Sequence, residues 1–147
     1  MILTCHLLTG AALAARTANP WLGAFLAIFS HYLLDFLPHR DYPIDSIRAK
    51  QWKNSARDFA KVILDLAAGL LLIFFFSENS IKIYLIALLS AGIDFTSLLH
   101  FVRPQNKLLA WHRMLHQKVS FFENKKIPLF WRIFSQAFVI ITALLFL

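Results

Sequence analysis

Four long apolar stretches most constrain how this chain can fold. They run from Pro20 to Leu37, Asp58 to Phe76, Ile81 to Val102 and Pro128 to Leu147. A helix of roughly 20 apolar residues is long enough to cross the hydrocarbon core of a bilayer. The hydrophobic content of 59% and the mean hydropathy of +0.60 also exceed what a soluble domain normally carries. The sequence therefore predicts an all-α integral membrane protein.

Two further segments complete the predicted architecture. The stretch from Met1 to Ala15 is apolar but lacks the basic start of a signal peptide, so we expect it to be retained as a short helix. The stretch from Gln105 to Val119 has one apolar face and predicts an amphipathic helix in the membrane interface. We expect a single domain, residues 1–147, with a bundle of about five transmembrane helices and this interfacial helix.

Small residues recur in the first four predicted bundle helices. Each of these helices carries one glycine close to alanine residues. Because lipid gives no hydrophobic drive for helix association, small residues stabilise membrane bundles by letting backbones approach closely. We therefore expect close helix contacts at these glycines, which are Gly10, Gly23, Gly69 and Gly92.

The net charge of +7 is concentrated in two loops. If five helices alternate in direction, both loops lie on the same side as the N-terminus, and the positive-inside rule makes that side cytoplasmic. The C-terminus then lies outside. The charge is explained by topology, so we do not expect a nucleic-acid partner. The loop cations are Arg40, Arg48, Lys50, Lys53, Arg57, Arg103, Lys107, Arg113, Lys118, Lys125 and Lys126.

Histidine and aspartate residues are the unusual polar feature of the apolar stretches. His31 and Asp35 are four residues apart, as are His112 and His116, so each pair projects from one face of a helix. With Asp94 they fall in the cytoplasmic half of the predicted bundle. Ionisable groups in a membrane segment are costly, and bundles build metal sites from facing helices. The pattern therefore predicts a metal site.

Simpler explanations exist for individual residues. An intramembrane histidine such as His6 or His100 can be a packing residue that is hydrogen-bonded to a neighbouring helix. Asp65 can pair with Lys61, one turn earlier, and Asp94 can cap or bridge helices. The single cysteine, Cys5, excludes an internal disulfide and is either an inert thiol or a ligand.

Several motifs resemble a family of small prokaryotic integral-membrane proteins described as membrane-bound metal-dependent hydrolases. The motifs are "TCHLLTGAALAA", "SHYLLDFLPHRDY", "GIDF", "WHRMLHQKV" and "SQAFVIITALL", which together extend over nearly the whole chain. Ile93 stands where the family pattern has proline. A fainter similarity to soluble zinc-dependent phospholipases C favours phosphoester chemistry. The family pattern maps onto His6, His31, Asp35, His39, Asp65, Asp94, His112 and His116.

The resemblance implies a specific activity and specific roles. We expect hydrolysis of a lipid or lipid-linked phosphoester at the cytoplasmic face of a prokaryotic inner membrane, with one or two ions of zinc, or else manganese or iron. His39 and Asp65 are the candidate proton-transfer residues, and Arg40, Arg103 and Arg113 are candidates for binding the substrate head group. The expected metal ligands are His6, His31, Asp35, Asp94, His112 and His116.

A non-enzymatic function is the alternative to hydrolysis. The same residues can serve a metal-binding module, a small transporter or a structural subunit of a membrane complex. Transport predicts polar residues through the full depth of the membrane, whereas the outer halves of the predicted helices contain almost none. The sequence leaves oligomerisation open.

Overall fold

A computed structural model describes residues 1–120 and 127–147, and the regular structure in these segments is entirely helical. The prediction of an all-α chain is confirmed for this part of the molecule. Lys125 and Lys126 of the second basic loop lie outside the described residues. The helices are α1 (Leu3–Arg16), α2 (Pro20–Phe36), α3 (Asp45–Arg48), a 3-10 turn (Trp52–Asn54), α4 (Ala56–Phe76), α5 (Ile81–Val102), α6 (Lys107–Val119) and α7 (Leu129–Leu145).

Helix α1 lies at the centre of the bundle and packs against α2, α4, α5 and α7. Leu7, Leu8 and Ala11 of this helix are completely buried. The neighbouring helices complete this core, with Ile73 of α4 and with Ile83, Ile86 and Ala87 of α5, all of which are buried. The shortest of the five bundle helices is the one that the others surround.

The five bundle helices alternate in direction. The Arg16 side chain, at the end of α1, donates a hydrogen bond of 3.0 Å to the carbonyl of Phe146 near the end of α7. Lys82, at the start of α5, donates a hydrogen bond of 3.0 Å to the carbonyl of Thr17, just after α1. One end of the bundle consequently holds the start of α1, α4 and α7 and the end of α2 and α5. We call this end the site end.

Close helix contact occurs at three of the four glycines. A Cβ atom on Gly10 would lie 2.9 Å from the Ser90 Cβ and 3.0 Å from the Ala87 Cα of α5. A Cβ atom on Gly69 or Gly23 would also contact a neighbouring helix, whereas one on Gly92 would have nothing within 4 Å. The expectation of close packing is therefore wrong for Gly92.

Among the described helices, α4 and α5 are long and apolar enough to cross a membrane, by length and composition. Helix α1 has 14 residues and α2 and α7 have 17 each. Five membrane crossings therefore stay a prediction. The end of α2 follows the sequence rule, since the residue before proline disfavours helical geometry and Leu37, before Pro38, has an extended backbone.

Candidate metal centre

Four side chains from three helices converge at the site end. Each offers one ligand atom, and these four atoms all lie within 4.8 Å of one another. His31 and Asp35 come from the last turns of α2, where the four-residue spacing stacks them on one face. Asp94 comes from α5 and His116 from α6. We call these four residues the His–Asp cluster.

The distances within the cluster resemble those between ligands that share one ion. The Asp35 Oδ2 atom lies 2.9 Å from the His116 Nε2 and 3.3 Å from the His31 Nε2. The two imidazole Nε2 atoms are 3.1 Å apart. Four ligands at about 2.1 Å around a tetrahedral zinc ion are separated by about 3.4 Å. The distances between the donor atoms of the cluster are therefore already close to those around a bound ion.

Asp94 closes the cluster on a second side. Its Oδ1 atom lies 3.2 Å from the His116 Nε2 and 3.7 Å from the His31 Nε2. Asp35 is completely buried, whereas Asp94 and His116 are 22% and 16% exposed. One side of the cluster is thus sealed within the bundle, and the other can be reached from outside.

His6 of α1 adds a fifth donor next to the cluster. Its Nε2 atom lies 3.2 Å from the Asp35 Oδ1 and 3.8 Å from the Asp94 Oδ2. Its ring is stacked on that of His31, with 4.0 Å between the ring centroids. A small movement of either ring would bring His6 into the same shell, so it can act as a ligand or as a neighbour of one.

Unpaired buried atoms test whether a metal ion fits the cluster. Within the described residues, the buried His6 Nε2 and Asp35 Oδ2 atoms have close neighbours but no hydrogen bond of suitable geometry. Buried polar atoms without partners are rare in proteins and require an explanation, such as an ion. A mixed set of imidazole and carboxylate donors suits zinc, manganese or iron. The donor set therefore fits a divalent transition metal.

The N-terminal amino group lies beside the cluster. The Met1 nitrogen is 2.6 Å from the Asp35 Oδ1 and 3.3 Å from the Asp41 Oδ1. Burial opposes ionisation of Asp41, but the His39 imidazole and the amino group outweigh it and hold the pKa of this carboxyl well below its usual range. Asp41, which lies in the loop after α2, is therefore an anion that is paired with the Met1 amino group and with His39.

His112, a predicted ligand, makes contacts outside the cluster. The Tyr32 hydroxyl lies 3.0 Å from its Nε2, and the Thr96 Oγ1 lies 2.8 Å from its Nδ1. Thr96 donates its own proton to the Ile93 carbonyl, at 2.7 Å, so it must accept from the His112 Nδ1–H. In a neutral His112 the Nε2 then accepts from Tyr32. This arrangement fixes the ring beside His116, 6.0 Å away between centroids.

Asp65, a predicted proton-transfer residue, holds the first turn of α1. Its Oδ2 atom accepts a hydrogen bond of 2.6 Å from the Leu3 amide, and its Oδ1 atom accepts one of 2.6 Å from the Thr4 hydroxyl. These are the contacts of an N-terminal cap supplied by a neighbouring helix. Lys61 pairs with Asp58 at 3.1 Å, so the proposed Lys61–Asp65 ion pair is wrong.

His39, the other predicted proton-transfer residue, lies in the loop after α2. Its Nδ1 donates to the Leu37 carbonyl at 2.7 Å, and its Nε2 is 3.6 Å from Asp41. The start of α7 supports this loop, because the Ser135 hydroxyl donates to the Pro38 carbonyl. His39 therefore lies outside the His–Asp cluster, and its proton-transfer role stays a prediction.

A cavity of about 500 Å³ adjoins the exposed side of the cluster. Asp94 and His116 form part of its wall, and Arg113 and Arg48 supply two guanidinium groups. Arg113 was predicted to bind substrate from the sequence, whereas Arg48 was assigned only to the basic loop. Arg113 also lies over the Phe101 ring, 4.2 Å from its centroid.

The other two predicted substrate-binding arginines lie elsewhere. Arg40 lines a second cavity of about 320 Å³, together with His39 and Arg132. Arg103 is exposed, and it is not among the residues that line either cavity. The single thiol, Cys5, is buried and donates a hydrogen bond of 3.8 Å to the Gln136 carbonyl.

Sequence reasoning missed Arg48, Tyr32 and Thr96 as neighbours of the site. Tyr32 and Thr96 have ordinary places in apolar helices, and only the packing of α6 shows that both contact His112. Arg48 was hidden among the other loop cations. Comparison of the chain with protein-family models, with curated proteins and with solved structures gives no match.

Proposed function

We propose that this chain is an integral membrane protein that hydrolyses a lipid or lipid-linked phosphoester with a metal ion held at the site end. The observation that carries the proposal is the His–Asp cluster beside a cavity that also contains Arg48 and Arg113. Metal-assisted phosphoester hydrolysis requires a metal site and cationic groups that bind the phosphate, and both are present here as candidates.

The exposed surface supports a membrane location. Large apolar side chains cover the outer faces of α2, α4, α5 and α7, whereas water-soluble monomers rarely expose wide apolar patches. Lipid is the solvent that matches such a surface. Among these side chains, the following are each more than half exposed: Trp21, Phe25, Phe29, Leu64, Leu71, Phe75, Ile81, Leu85, Phe95, Phe130, Phe138 and Ile141.

The distribution of charge supports a cytoplasmic site end. Arg40, Arg48 and Arg113 lie at this end, whereas Arg16 and Lys82 lie at the opposite end of the bundle. By the positive-inside rule, the richer cationic end faces the cytoplasm. The N-terminus is then cytoplasmic, the C-terminus lies outside, and the membrane is the prokaryotic inner membrane.

The metal supplies one part of the chemistry and the protein supplies the rest. A bound divalent ion polarises a phosphoryl oxygen and lowers the pKa of water, and zinc is our first choice. His31 and Asp35 would hold such an ion on the sealed side, and Asp94 and His116 would hold it on the side of the cavity. Arg113 orients the anionic head group.

Proton transfer is assigned to the groups around the cavity. His112 is held between Tyr32 and Thr96, so it can exchange a proton with Tyr32 without moving its ring. Burial, together with the His116 and His31 imidazoles, lowers the pKa of His112 and favours its neutral, proton-accepting form. His39 and Asp65 are less suited to this step because their polar atoms contact the loop and the start of α1.

Metal content and product release test the proposal together. Detergent-solubilised protein should contain one or two zinc-like ions per chain and release phosphate or head groups from a panel of phospholipids and polyprenyl phosphates. A chelator should abolish release. The Asp35→Asn variant should be inactive and metal-poor, and the Asp45→Asn variant, changed at an exposed residue of α3, should match the wild type.

Two outcomes would contradict the proposal in different ways. A filled metal site that releases no product from any of these lipids would leave a non-enzymatic metal-binding module. Metal-free protein of undiminished thermal stability that takes up no ion when zinc, manganese or iron is added would remove the metal site itself. The cluster would then be a charge network that stabilises the bundle.

A further inference from the structure

The two carboxylates of the His–Asp cluster divide their oxygens between different imidazoles. For Asp35, the Oδ2 atom lies 3.3 Å from the His31 Nε2 and 2.9 Å from the His116 Nε2. The Asp35 Oδ1 atom lies instead 3.2 Å from the His6 Nε2. Asp94 repeats this division. Its Oδ1 atom lies 3.7 Å from the His31 Nε2 and 3.2 Å from the His116 Nε2, and its Oδ2 atom lies 3.8 Å from the His6 Nε2.

The donor atoms therefore form two groups that share both carboxylates. The stacked rings of His6 and His31 belong to different groups and are 4.0 Å apart between centroids, so the two groups lie side by side. A carboxylate with one oxygen in each group can bridge two metal ions. Helix bundles build such two-metal centres from inward-facing carboxylates and histidines, and the ions of two-metal hydrolytic sites lie about 3.5 to 4 Å apart.

The His6 side chain is the observation that points to a ligand in the second group. It is completely buried, and within the described residues neither of its ring nitrogens has a hydrogen bond of suitable geometry. Buried polar groups without partners are costly, and an ion beside the two carboxylate oxygens would give the Nε2 atom a partner. The Met1 nitrogen also contacts the Asp35 Oδ1, at 2.6 Å, but a carboxylate oxygen has lone pairs for two partners.

We infer that the site end binds two divalent metal ions, with Asp35 and Asp94 bridging them. His31 and His116 complete the shell of the first ion, and His6 binds the second. The inference deepens the proposed function and rests on it, because it adds an ion to the same centre. The first ion has four protein donors, whereas the second has three, as catalytic zinc ions have. The ion at His6 therefore keeps a coordination position for a phosphoryl oxygen of the substrate.

A single ion with His6 as its fifth ligand is the competing arrangement. It would require the His6 Nε2 to share the carboxylate oxygens that already face His31 and His116. The structure places the His6 Nε2 against the other oxygen of each carboxylate. The two arrangements differ in the number of ions per chain and in whether two ions interact.

Manganese binding to the detergent-solubilised wild-type protein tests the inference without any substitution. Mixed imidazole and carboxylate donors accept this metal, and two Mn²⁺ ions bridged by carboxylates are magnetically coupled. The ion at His6 has one imidazole fewer than the other, so manganese is added in excess. We expect about two ions per chain at saturation and an electron paramagnetic resonance spectrum of a coupled pair. One ion per chain with the spectrum of an isolated ion would overturn the inference.

The His6→Gln variant tests which residue holds the second ion. Bound manganese should fall from about two ions to about one per chain, and the coupling should disappear, because the donors of the first ion remain. His100→Gln is the matched control and should keep both ions, since His100 is also a histidine of a bundle helix but its ring packs against Phe101. Circular dichroism checks the helical content of both variants. A folded His6→Gln variant with two coupled ions would show that His6 is not a ligand and would refute the inference.

The inference and the proposed function can fail separately. Two coupled ions in a protein that hydrolyses none of the phosphoesters would keep the two-metal centre and refute the hydrolase proposal. Metal-dependent hydrolysis by a protein with one uncoupled ion would keep the hydrolase and refute the second ion.

Discussion

The two halves of α1 are both buried, but they are buried against different kinds of group. In the second half, Gly10, Ala11 and Ala14 pack into an apolar core in which the α5 backbone comes close. In the first half, Thr4 contacts Asp65 and His6 contacts Asp35 and Asp94. One helix is therefore a packing element at one end and part of a polar site at the other.

This difference teaches how a small bundle can hold costly polar groups. Without a hydrophobic drive between helices, the close contact at Gly10 fixes α1 against α5. His6 lies one helical turn from Gly10 and is placed by that contact. The apolar half thus supplies the rigidity that the polar half needs for its ligands to converge.

The largest expected effect on the stability of the fold is in the apolar half. Gly10→Ala places a Cβ atom against the α5 backbone and should lower the free energy of unfolding by about 2 kcal/mol. Gly92→Ala is the matched control, since its Cβ meets nothing within 4 Å, and it should be neutral or stabilising by up to about 1 kcal/mol. Thermal and denaturant unfolding in detergent measure both. Equal effects would show that close contact at Gly10 does not hold α1.

A substitution at the polar site should lower metal affinity while the helices of the bundle stay folded. Asp35→Asn removes the carboxylate nearest to the three imidazoles and should weaken metal binding by at least about 100-fold. Competition with a chromogenic chelator measures the affinity, and circular dichroism checks that helical content is retained. Loss of helical content in this variant would make Asp35 a structural residue.

A substitution of Asp65 should affect both stability and metal affinity, because Asp65 caps the helix that carries His6. Asp65→Ala should lower the free energy of unfolding by about 1 to 2 kcal/mol, as loss of a helix cap does. Metal affinity should fall less than for Asp35→Asn. Asp65→Asn keeps one acceptor oxygen for the start of α1 and should recover much of the stability. A variant with wild-type stability but no hydrolytic activity would instead support the proton-transfer role.

The smallest effect is expected at Tyr32. Tyr32→Phe removes the hydroxyl that contacts the His112 Nε2 and should cost about 1 kcal/mol of stability or less. Metal stoichiometry should not change, because Tyr32 contacts no cluster residue through its hydroxyl in the described contacts. A change in the pH profile of phosphate release would assign Tyr32 to proton transfer. Reduced metal content would place His112 in the metal shell.

The helices were predictable because apolar length and proline placement act locally. The apolar stretch from Ile81 to Val102 coincides with α5, and α2 ends before Pro38 as expected. Depth along the bundle was also predictable, since alternating helices bring His31, Asp94 and His116 to one end. The four residues of the His–Asp cluster, which can hold a metal ion, are therefore all among the six predicted ligands, whereas His6 lies beside the cluster and His112 outside it.

The neighbours of each side chain were less predictable because they depend on which helix faces which. Nothing in the apolar pattern indicates that the 14-residue α1 occupies the centre. The partner of Asp65 follows from that position, and so does the contact of His6 with the cluster. Arg48 became a site residue only through the fold of the loop between α2 and α4, which brings it to the cavity beside Arg113.

The central position of α1 also has a consequence for biogenesis. Ribosomes synthesise α1 before α2, α4, α5 and α7, yet it is the helix that these four enclose. Its 14 residues extend about 21 Å, less than the roughly 30 Å of membrane hydrocarbon. On the proposed membrane location, α1 therefore waits at the cytoplasmic surface while later helices are translated. Asp65 and Asp94 are synthesised only with α4 and α5, and both contact the polar start of α1, so assembly of the site is a late step of insertion.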